Sequence, residues 1–241
     1  MTAQTVETLT SIQNRRPAQS PLAPRILVTG ANGQVGSDLI VALRSEHGDE
    51  IVIGLDLFPP PIAAKDENGY LHEIADITDK KRLEKIIERY EIDTIFHLAG
   101  LLSANGEKAP DLAWNANLTG LKNVLDLAKL SSLKVFWPSS IAAFGPNTPK
   151  LNTPQMTILD PNTIYGITKA SGELLCNYYF EKFGVDVRSL RYPGIISYKT
   201  LPGGGTTDYA VEMFHAAIET DLSHHFHCGL SNFIIPDLVV Y

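Results

Sequence analysis

The segment DPNTIYGITKASGELL, residues 160–175, places Tyr165 and Lys169 four residues apart at the start of a predicted helix. Side chains with this spacing lie one turn apart on the same helical face, so the hydroxyl and the ammonium can meet. Tyrosine loses its proton at about pH 10, and a neighbouring positive charge lowers that pKa toward a value useful to a general base. The sequence therefore predicts a proton-transfer pair in which Lys169 lowers the pKa of Tyr165.

A second tyrosine and lysine, Tyr178 and Lys182, repeat the same spacing in the same predicted helix. They fall in mid-helix, away from the carboxyl ends of the strands where open parallel sheets bind their ligands. We therefore expect Tyr178 to pack in the core and Lys182 to be solvated.

A hydroxyl that orients a substrate is expected in WPSSIAAFG, residues 137–145, where Ser139 and Ser140 end a predicted strand. Serines also end strands for simple turn reasons, so either side chain alone is weak evidence. With Tyr165 following 25 residues later, Ser140 is the preferred partner.

The segment VTGANGQVG, residues 28–36, joins a predicted strand to a predicted helix and carries three spaced glycines. This pattern is typical of a dinucleotide-binding loop. Gly30 permits the tight turn, Gly33 lets the backbone approach a pyrophosphate, and Gly36 allows helix and strand to pack closely. The helix N-terminus then faces the phosphates.

Carboxylates follow the next two strands. Asp56 ends the second strand, 20 residues after Gly36, where it can accept hydrogen bonds from ribose hydroxyls and repel the extra phosphate of NADP. NAD is therefore the expected cofactor, although Asp56 could also be a turn residue. Its oxidised nicotinamide would add positive charge that lowers the Tyr165 pKa further. Asp76 and Ile77 follow the third strand and either contact adenine or precede a helix capped by Thr78 or Asp79.

Elements of alternating type must position these residues. The predicted strands are RILVTG, EIVIGLD, TIFHLAG, KVFWPSS and VDVRSLRYPG, and the predicted helices are VGSDLIVALRSE, KKRLEKIIERY, LTGLKNVLDLAKL, residues 165–183 and a last one from about Asp208. We expect buried faces formed by Leu83, Ile86, Ile87 and Tyr90 in one helix and by Leu121, Val124, Leu125 and Ala128 in another. The alternation predicts an α/β fold with a Rossmann-like, doubly wound parallel sheet.

The composition fits a globular protein that handles a small molecule. The chain has 241 residues, 44% of them hydrophobic, and a formal net charge of −7 without a basic stripe, which argues against nucleic acid and anionic membranes as partners. Cys176 and Cys228 are its only cysteines, so no disulfide framework is expected. No apolar run reaches the roughly 18 residues of a membrane helix.

Both ends of the chain differ from the middle. Residues 1–24 lack periodic hydrophobicity and carry Arg15 and Arg16, so they are expected to be a disordered tail or a mitochondrial transit peptide. In the second case the location would be the mitochondrial matrix of a eukaryote, and otherwise the cytoplasm. Near the other end, His224, His225, His227 and Cys228 could bind zinc, but adjacent histidines point apart, and an exposed tail without metal is preferred.

The motifs GANGQVG, HLAG, NANLTG, SSIAAFG, YGITK and RYPG together resemble the extended short-chain dehydrogenase/reductase superfamily. The segments LLSANGE and LPGGGTTDYA narrow the resemblance to the short-chain type of L-threonine 3-dehydrogenase, over residues 25–219. The resemblance implies NAD-dependent oxidation of L-threonine to 2-amino-3-ketobutyrate. It also implies a homodimer formed through the helices near Leu118 and Tyr165.

The resemblance assigns Tyr165 as base, Lys169 as its electrostatic and ribose-binding partner, and Ser140 as hydroxyl donor to the substrate. The implied substrate-binding set is Ser103, Ser140, Tyr165, Thr206 and Thr207. The implied cofactor-binding set is Gly30, Asn32, Gly33, Gln34, Val35, Gly36, Asp56, Asp76, Ile77, His97, Leu98, Ala99, Asn117, Tyr165, Lys169, Tyr192, Pro193 and Ile195. Without the resemblance, Ser103 could only turn a loop, His97 could be a satisfied core histidine, and Asn117 could cap or bridge water at a helix bend.

The resemblance ends near Thr220, where the family continues with further elements of its substrate domain. We therefore expect an NAD-binding domain over residues 25–195 and a partial substrate-binding region over residues 196–241. Activity could be lost through this difference, since a substrate site without its cover admits water. The alternatives are a nucleotide-sugar epimerase or dehydratase of the same superfamily, and a non-catalytic chain that binds NAD or pairs with another copy.

Overall fold

Six parallel strands form one sheet in the described part of the chain. The computed structural model describes residues 24–60, 71–196, 203–205 and 208–220, with the side chains of 208–214 in the last range. The strands are β1 (Ile26–Thr29), β2 (Val52–Asp56), β3 (His72–Ile74), β4 (Thr94–His97), β5 (Lys134–Ser140) and β6 (Asp186–Tyr192). Their order across the sheet is β3-β2-β1-β4-β5-β6. The predicted doubly wound α/β fold is confirmed.

Helices connect the successive strands as predicted, except between β2 and β3, where part of the connection lies outside the described residues and the rest holds no helix. They are α1 (Gln34–His47), α2 (Lys80–Arg89), α3 (Ser103–Lys108), α4 (Pro110–Trp114), α5 (Gly120–Ser131), α6 (Ile164–Phe183) and α7 (Tyr209–Thr220). A π-helical turn, Asn115–Thr119, lies between α4 and α5, and short 3-10 turns span Asp49–Ile51 and Ile141–Ala143.

Local sequence explains where the two most informative helices begin. The Asp79 carboxylate accepts a hydrogen bond from the Arg82 backbone N–H at 3.0 Å and so caps α2. Thr163 caps α6 in the same way, since its hydroxyl accepts from Gly166 N at 3.0 Å. Helix α6 ends at Gly184, whose φ of 70° suits glycine. Both caps fix the first turn, and in α6 that turn carries Tyr165.

The core has two layers, one on each face of the sheet. On one face α2, α5 and α6 pack against strand residues that include Leu27, Ile95 and Trp137. On the other face α1 packs against β1 and β2. The predicted buried faces are confirmed, since Leu83, Ile86, Ile87, Leu121, Val124, Leu125 and Ala128 are buried and Tyr90 packs against them.

The expectation that Tyr178 packs in the core is wrong. Its side chain is 52% exposed, whereas the next residue, Tyr179, is only 5% exposed. Each helical residue turns by about 100°, and this rotation directs Tyr179 toward α5, where its hydroxyl donates to Asp126 at 2.5 Å. Tyr178 packs edge-on against Tyr179 and Phe183 at the surface. Lys182 is exposed as expected.

The strand order reverses between β1 and β4. From β1 the chain adds β2 and β3 on one side, and from β4 it adds β5 and β6 on the other. The loops after β1 and β4 therefore diverge to opposite faces and leave a crevice at the carboxyl ends of these strands, which is where open α/β sheets bind ligands.

Candidate active site at the carboxyl edge of the sheet

The glycine loop forms a cradle between β1 and α1. Gly30 has a φ of +70°, and a Cβ on it would lie 2.7 Å from Ala99 N. A Cβ on Gly36 would lie 2.1 Å from Gly30 O. Both glycines are therefore required by close backbone packing. A Cβ on Gly33 would meet one atom within 4 Å, Gly30 O at 3.3 Å, so the outer side of this residue faces open space.

The start of α1 is suited to an anion. Gly33 is its N-cap residue and no side chain caps the helix, while no acidic residue lies in its first turn. The first N–H groups of a helix carry a partial positive charge and need acceptors. Gln34 and Val35, the first two residues of α1, thus lie where a pyrophosphate would be held.

Asp56 lies against this loop at the end of β2. Its carboxylate accepts from the backbone N–H of Asn32 at 3.0 Å and from that of Phe58 at 3.4 Å. The Asn32 side-chain amide donates to Phe58 O at 2.8 Å. A carboxylate has about four acceptor sites, so Asp56 retains capacity for ribose hydroxyls.

Asp76 and Ile77 were considered for an adenine contact, and Thr78 or Asp79 for a helix cap. Asp79 caps α2, as described above. Asp76 accepts from both the backbone N–H and the hydroxyl of Thr78 at 2.8 Å. Ile77 is buried beneath the start of α5, where a Cβ on Gly120 would lie 2.5 Å from its Cδ1. An adenine contact from Asp76 or Ile77 stays a prediction.

The end of β4 is tied to β1 through Thr29. Its backbone O accepts from Leu98 N at 3.1 Å, and its hydroxyl accepts from Ala99 N at 3.3 Å. His97 is buried, and its Nδ1 lies 2.8 Å from the Thr29 hydroxyl. Burial, with repulsion from Lys169, lowers the His97 pKa to about 3, so the ring is neutral. Its Nε2 is buried without a hydrogen-bond partner among the described residues. The alternative of a core histidine with both ring nitrogens hydrogen-bonded therefore holds only for Nδ1.

Asn117 connects the β4 loop to the helix of Tyr165. Its side chain accepts from Leu101 N at 2.7 Å and donates to Leu101 O at 3.1 Å. It also donates to Thr168 Oγ1 at 3.1 Å, and that hydroxyl donates to Tyr165 O at 2.8 Å. π-Turns often occur at functional sites, and this one aims Asn117 inward. Asn117 is thus neither a simple cap nor a water bridge.

Tyr165, Lys169 and Ser140 are brought together. The Tyr165 hydroxyl lies close enough to the Ser140 side chain for the serine to favour the ionised tyrosine and so lower its pKa. The Lys169 ammonium donates to Pro138 O at 2.6 Å and lies 4.6 Å from the Trp137 ring centroid and 5.5 Å from that of Tyr165. The aromatic faces and the carbonyl fix the position of a buried cation.

The pKa expected for Tyr165 is corrected by this geometry. Burial raises the pKa of Tyr165 above its usual value, and the hydrogen bond from Ser140 only partly opposes this. The Lys169 ammonium does not offset this increase, because it is directed to Pro138 O and to the Trp137 ring. Burial also lowers the pKa of Lys169 to about 8. With Lys169 held in this position, a second positive charge near Tyr165 is needed to lower the Tyr165 pKa.

The choice between the two serines follows from strand alternation. Ser139 is buried, and its hydroxyl donates to Glu173 Oε1 at 2.5 Å. Glu173 is held in turn by Arg191, which donates to both its oxygens at 2.8 and 2.7 Å. The Ser140 hydroxyl instead accepts from Ala142 N at 3.1 Å and contacts Tyr165. Ser139 therefore has a structural role, and Ser140 is the serine at the reactive pair.

A glycine-rich loop borders the site. Asn105 Nδ2 donates to Gly203 O at 3.0 Å and Ala104 N donates to Gly204 O at 3.0 Å, so the loop lies on α3, which begins at Ser103. Asp208, 3% exposed, accepts from Gly204 N and Gly205 N at 2.7 Å and from the Gln34 amide at 3.2 Å. Thr206 and Thr207 lie outside the described residues.

The last expected cofactor residues follow β6. Tyr192 and Ile195, with Gln34, Val35, Leu39 and others on α1, line a shallow groove of about 370 Å³. Pro193 follows Tyr192 at the end of β6. The structure thus places most of the predicted residues that it describes along the carboxyl edge of the sheet. Their roles in dinucleotide binding and proton transfer stay predictions. Several contributors were not predicted: Thr29, Trp137, Thr168, Glu173, Arg191 and Asp208.

The crevice fits an NAD molecule. The loop around Gly33 is open to a pyrophosphate, and Asp56 retains free acceptor sites for a ribose. The profile of the NAD dependent epimerase/dehydratase family matches residues 26–221. The chain belongs to this family. NAD is the cofactor of the epimerase/dehydratase family, in agreement with the predicted cofactor.

Similar proteins support this assignment. An uncharacterised epimerase/dehydratase of Staphylococcus saprophyticus is 50% identical over 194 residues, which are 80% of this chain and 60% of that protein. The structure of L-threonine dehydrogenase from Clostridium difficile is 52% identical, with a TM-score of 0.77, over 82% of this chain and 62% of that one. L-Threonine 3-dehydrogenase from Trypanosoma brucei is 43% identical, with a TM-score of 0.76, over 81% of this chain and 61% of that one.

The chain thus spans about 60% of the length of these three similar proteins. They come from bacteria and from a trypanosome and give no support to the mitochondrial location. Among the described residues, no helix is long and apolar enough to cross a membrane, and no group of three or more His, Cys, Asp or Glu side chains could hold a metal. The four tail residues considered for zinc lie outside the described part.

Proposed function

We propose that this protein oxidises the C3 hydroxyl of L-threonine with NAD and yields 2-amino-3-ketobutyrate. The observation that supports it most is the contact between the Tyr165 and Ser140 hydroxyls beside the buried Lys169 ammonium. The names of the similar structures, two threonine dehydrogenases, supply the substrate. Residues 25–195 would form the NAD-binding unit, and residues 196–241 a partial substrate-binding region.

In this mechanism Ser140 donates a hydrogen bond to the substrate oxygen and Tyr165 removes the proton from the C3 hydroxyl. NAD, when bound, would supply the hydride acceptor and the positive charge of its oxidised nicotinamide. That charge matters because burial raises the pKa of Tyr165. Lys169, with a pKa of about 8, holds the ribose through its ammonium and loses charge as pH rises through that value.

The amino acid would be held between α3 and the glycine-rich loop. Ser103 begins α3 and lies half-buried, and the loop from Gly203 to Gly205 contacts the same helix through Ala104 and Asn105. Thr206 and Thr207 continue this loop. The Asp208 contacts to two loop N–H groups and to Gln34 hold the loop near the start of α1. Substrate and cofactor would then meet over Tyr165.

NADH formation by the purified chain with L-threonine and NAD tests the proposal, with NAD binding followed by calorimetry on the same sample. Turnover supports it. Binding without turnover would favour the non-catalytic alternative, in which the chain binds NAD alone or pairs with another copy. Turnover of a UDP-hexose without turnover of threonine would favour the nucleotide-sugar alternative, which the family description supports.

We also propose a homodimer formed through the helices that contain Leu118 and Tyr165. Ile167, Leu174 and Tyr178 lie on one face of α6 and are exposed. An apolar stripe of this kind often marks an interface. Sedimentation of the wild type and of Leu174→Arg tests this, since a charge on the stripe should produce monomers.

A further inference from the structure

Glu107 caps a helix other than its own. It lies in α3, and its carboxylate accepts a hydrogen bond from the backbone N–H of Ile164, the first residue of α6, at 2.8 Å. The two residues are 57 positions apart in the sequence. The first N–H groups of a helix have no partner within the helix, and a carboxylate is a strong acceptor for them. Glu107 therefore supplies a cap that the local sequence of α6 does not contain.

The first turn of α6 lacks a negative charge of its own. Thr163 is the N-cap residue, and its hydroxyl accepts from Gly166 N, so the N–H of Ile164 is bonded by a different side chain. No acidic residue lies in this first turn. A helix N-terminus carries a partial positive charge, so a carboxylate beside it stabilises the turn. The Glu107 carboxylate provides that charge from α3.

The backbone of α3 holds Glu107 against α6. Gly106 is buried, and a Cβ on it would lie 3.4 Å from both Ala113 Cβ and Ile164 Cγ2. The glycine thus lets α3 pack closely on α4 and on the start of α6. Since the backbone on which Glu107 stands is already fixed by this packing, little further freedom is lost when its side chain forms the cap.

The other end of α3 contacts the glycine-rich loop. Ala104 N donates to Gly204 O, and the Asn105 side chain donates to Gly203 O, both at 3.0 Å. Ser103, a candidate substrate-binding residue, begins the same helix. Helix α3 therefore joins the expected substrate side of the crevice to the start of α6.

The position of this first turn decides how Tyr165 meets Ser140. A Cβ on Gly166 would lie 2.3 Å from Ala142 O, so the turn packs directly on the segment after β5. Ala142 N donates to the Ser140 hydroxyl at 3.1 Å in that same segment. A shift of the first turn of α6 would therefore change the separation of the two hydroxyls. A misplacement of about 1 Å at a reactive pair can cost about 10²-fold in rate.

We propose that Glu107 is a positioning residue for the proton-transfer pair. Its carboxylate fixes the first turn of α6 through the N–H of Ile164, and this turn sets the place of the Tyr165 hydroxyl beside Ser140. The effect on turnover rests on the proposed oxidation of threonine, whereas the placement of Tyr165 does not.

Three variants of the full chain test the kinetic part, with L-threonine as substrate at saturating NAD. Glu107→Ala removes the acceptor, and Glu107→Gln keeps an amide oxygen that can accept from Ile164 N. Asp79→Ala is the matched control, because Asp79 accepts from a backbone N–H at the start of α2 at 3.0 Å and α2 carries none of the candidate catalytic residues. Loss of either cap should lower the Tm by about 2–4 °C.

Only the cap of α6 should affect the reaction. We expect Glu107→Ala to lower kcat about tenfold with the Kd for NAD within about twofold of the wild type. Glu107→Gln should retain at least about half of the wild-type kcat, and Asp79→Ala should do the same. Equal kcat values in Glu107→Ala and Asp79→Ala would overturn the proposal, since Glu107 would then contribute to stability alone.

A measurement without turnover separates this proposal from the proposed reaction. In chains labelled with ¹³C at tyrosine Cζ, the Tyr165 signal is assigned by its absence in Tyr165→Phe. Glu107→Ala should shift this signal toward that of Tyr178, which is 52% exposed, because a loosened turn lets water reach the Tyr165 phenol. Glu107→Gln and Asp79→Ala should leave the signal in place.

The two measurements together distinguish the possible failures. An unchanged Tyr165 signal in Glu107→Ala would overturn the positioning role. Absence of turnover in the wild type, together with the expected shift in Glu107→Ala, would remove threonine oxidation and support the positioning role.

Discussion

Replacement of Gly33 by alanine separates NAD binding from folding in a way that the structure makes quantitative. Gly33 has φ −74° and ψ 175°, an extended conformation that alanine adopts readily. The new Cβ would lie 3.3 Å from Gly30 O and would need a shift of a few tenths of an ångström. Reduced entropy of the unfolded chain offsets this cost, so the free energy of unfolding should change by less than about 1 kcal/mol.

NAD binding should respond differently to Gly33→Ala. The methyl group would occupy the open space in front of the first N–H groups of α1, where the pyrophosphate must approach the backbone. We expect the Kd for NAD to rise by about 10- to 100-fold, or about 1.4–2.8 kcal/mol. Calorimetric titration with NAD measures this change, and urea unfolding measures stability.

Gly36→Ala is the matched comparison in the same loop. Its Cβ would lie 2.1 Å from Gly30 O and 2.9 Å from Ala31 Cα, and these backbone atoms cannot move aside cheaply. Overpacking of this kind costs about 1–3 kcal/mol. Wild-type NAD affinity in Gly33→Ala would refute the assignment of this loop to the pyrophosphate. Wild-type stability in Gly36→Ala would refute the packing argument.

Three further predictions concern the proton-transfer pair and the ribose. Tyr165→Phe should lower turnover by about 10²- to 10⁴-fold with NAD affinity nearly unchanged. An equal loss of turnover in Tyr178→Phe would show that Tyr165 and Lys169 are not the proton-transfer pair. Asp56→Ala should weaken NAD and reduce the preference for NAD over NADP in calorimetry, whereas an unchanged preference would remove Asp56 from the site. Burial lowers the pKa of Lys169 from 10.5 to about 8. Between pH 8 and pH 10.5 the unfolded chain therefore binds more protons at this residue than the folded chain does. Lys169 thus makes the free energy of unfolding rise with pH over this range. Urea unfolding of Lys169→Met should therefore show a smaller rise over this window, by up to about 3 kcal/mol, and identical pH profiles would count against a buried ammonium.

Much of the fold could be predicted because each helix and strand carries its own periodic signal. Leu83, Ile86 and Ile87 define one buried face by spacing alone, and the structure buries all three. Tyr178 shows the limit of this reasoning. Helix α6 carries apolar residues on more than one side, so its sequence does not show whether Tyr178 or Tyr179 faces the core. Packing of α6 against α5 decides which of the two tyrosines is buried.

The site could be predicted where a motif carries its own geometry, as in the glycine loop and the Tyr165 helix. The remaining contributors depend on contacts between residues far apart in the sequence. Asn117 is defined by its bonds to Leu101 and Thr168, and no local pattern names either partner. Spacing places Lys169 near Tyr165 without showing that Pro138 O and Trp137 take its ammonium, so it could not show that burial raises the Tyr165 pKa when no cofactor charge is nearby. The glycines before Asp208 were the available signal for that carboxylate, since turns leave N–H groups that need an acceptor.

The reversal of strand order has a consequence for how the chain folds. β1 pairs with β4 through residues such as Thr29 and His97, which are 68 positions apart, so the central ladder of the sheet requires closure of a long loop. Non-local pairing of this kind slows folding and leaves strand edges exposed while it is incomplete. Because the crevice opens at this same ladder, a ligand that enters it binds only chains that have completed this long-range pairing. Addition of such a ligand during refolding should therefore trap late, native molecules and leave the early rate unchanged.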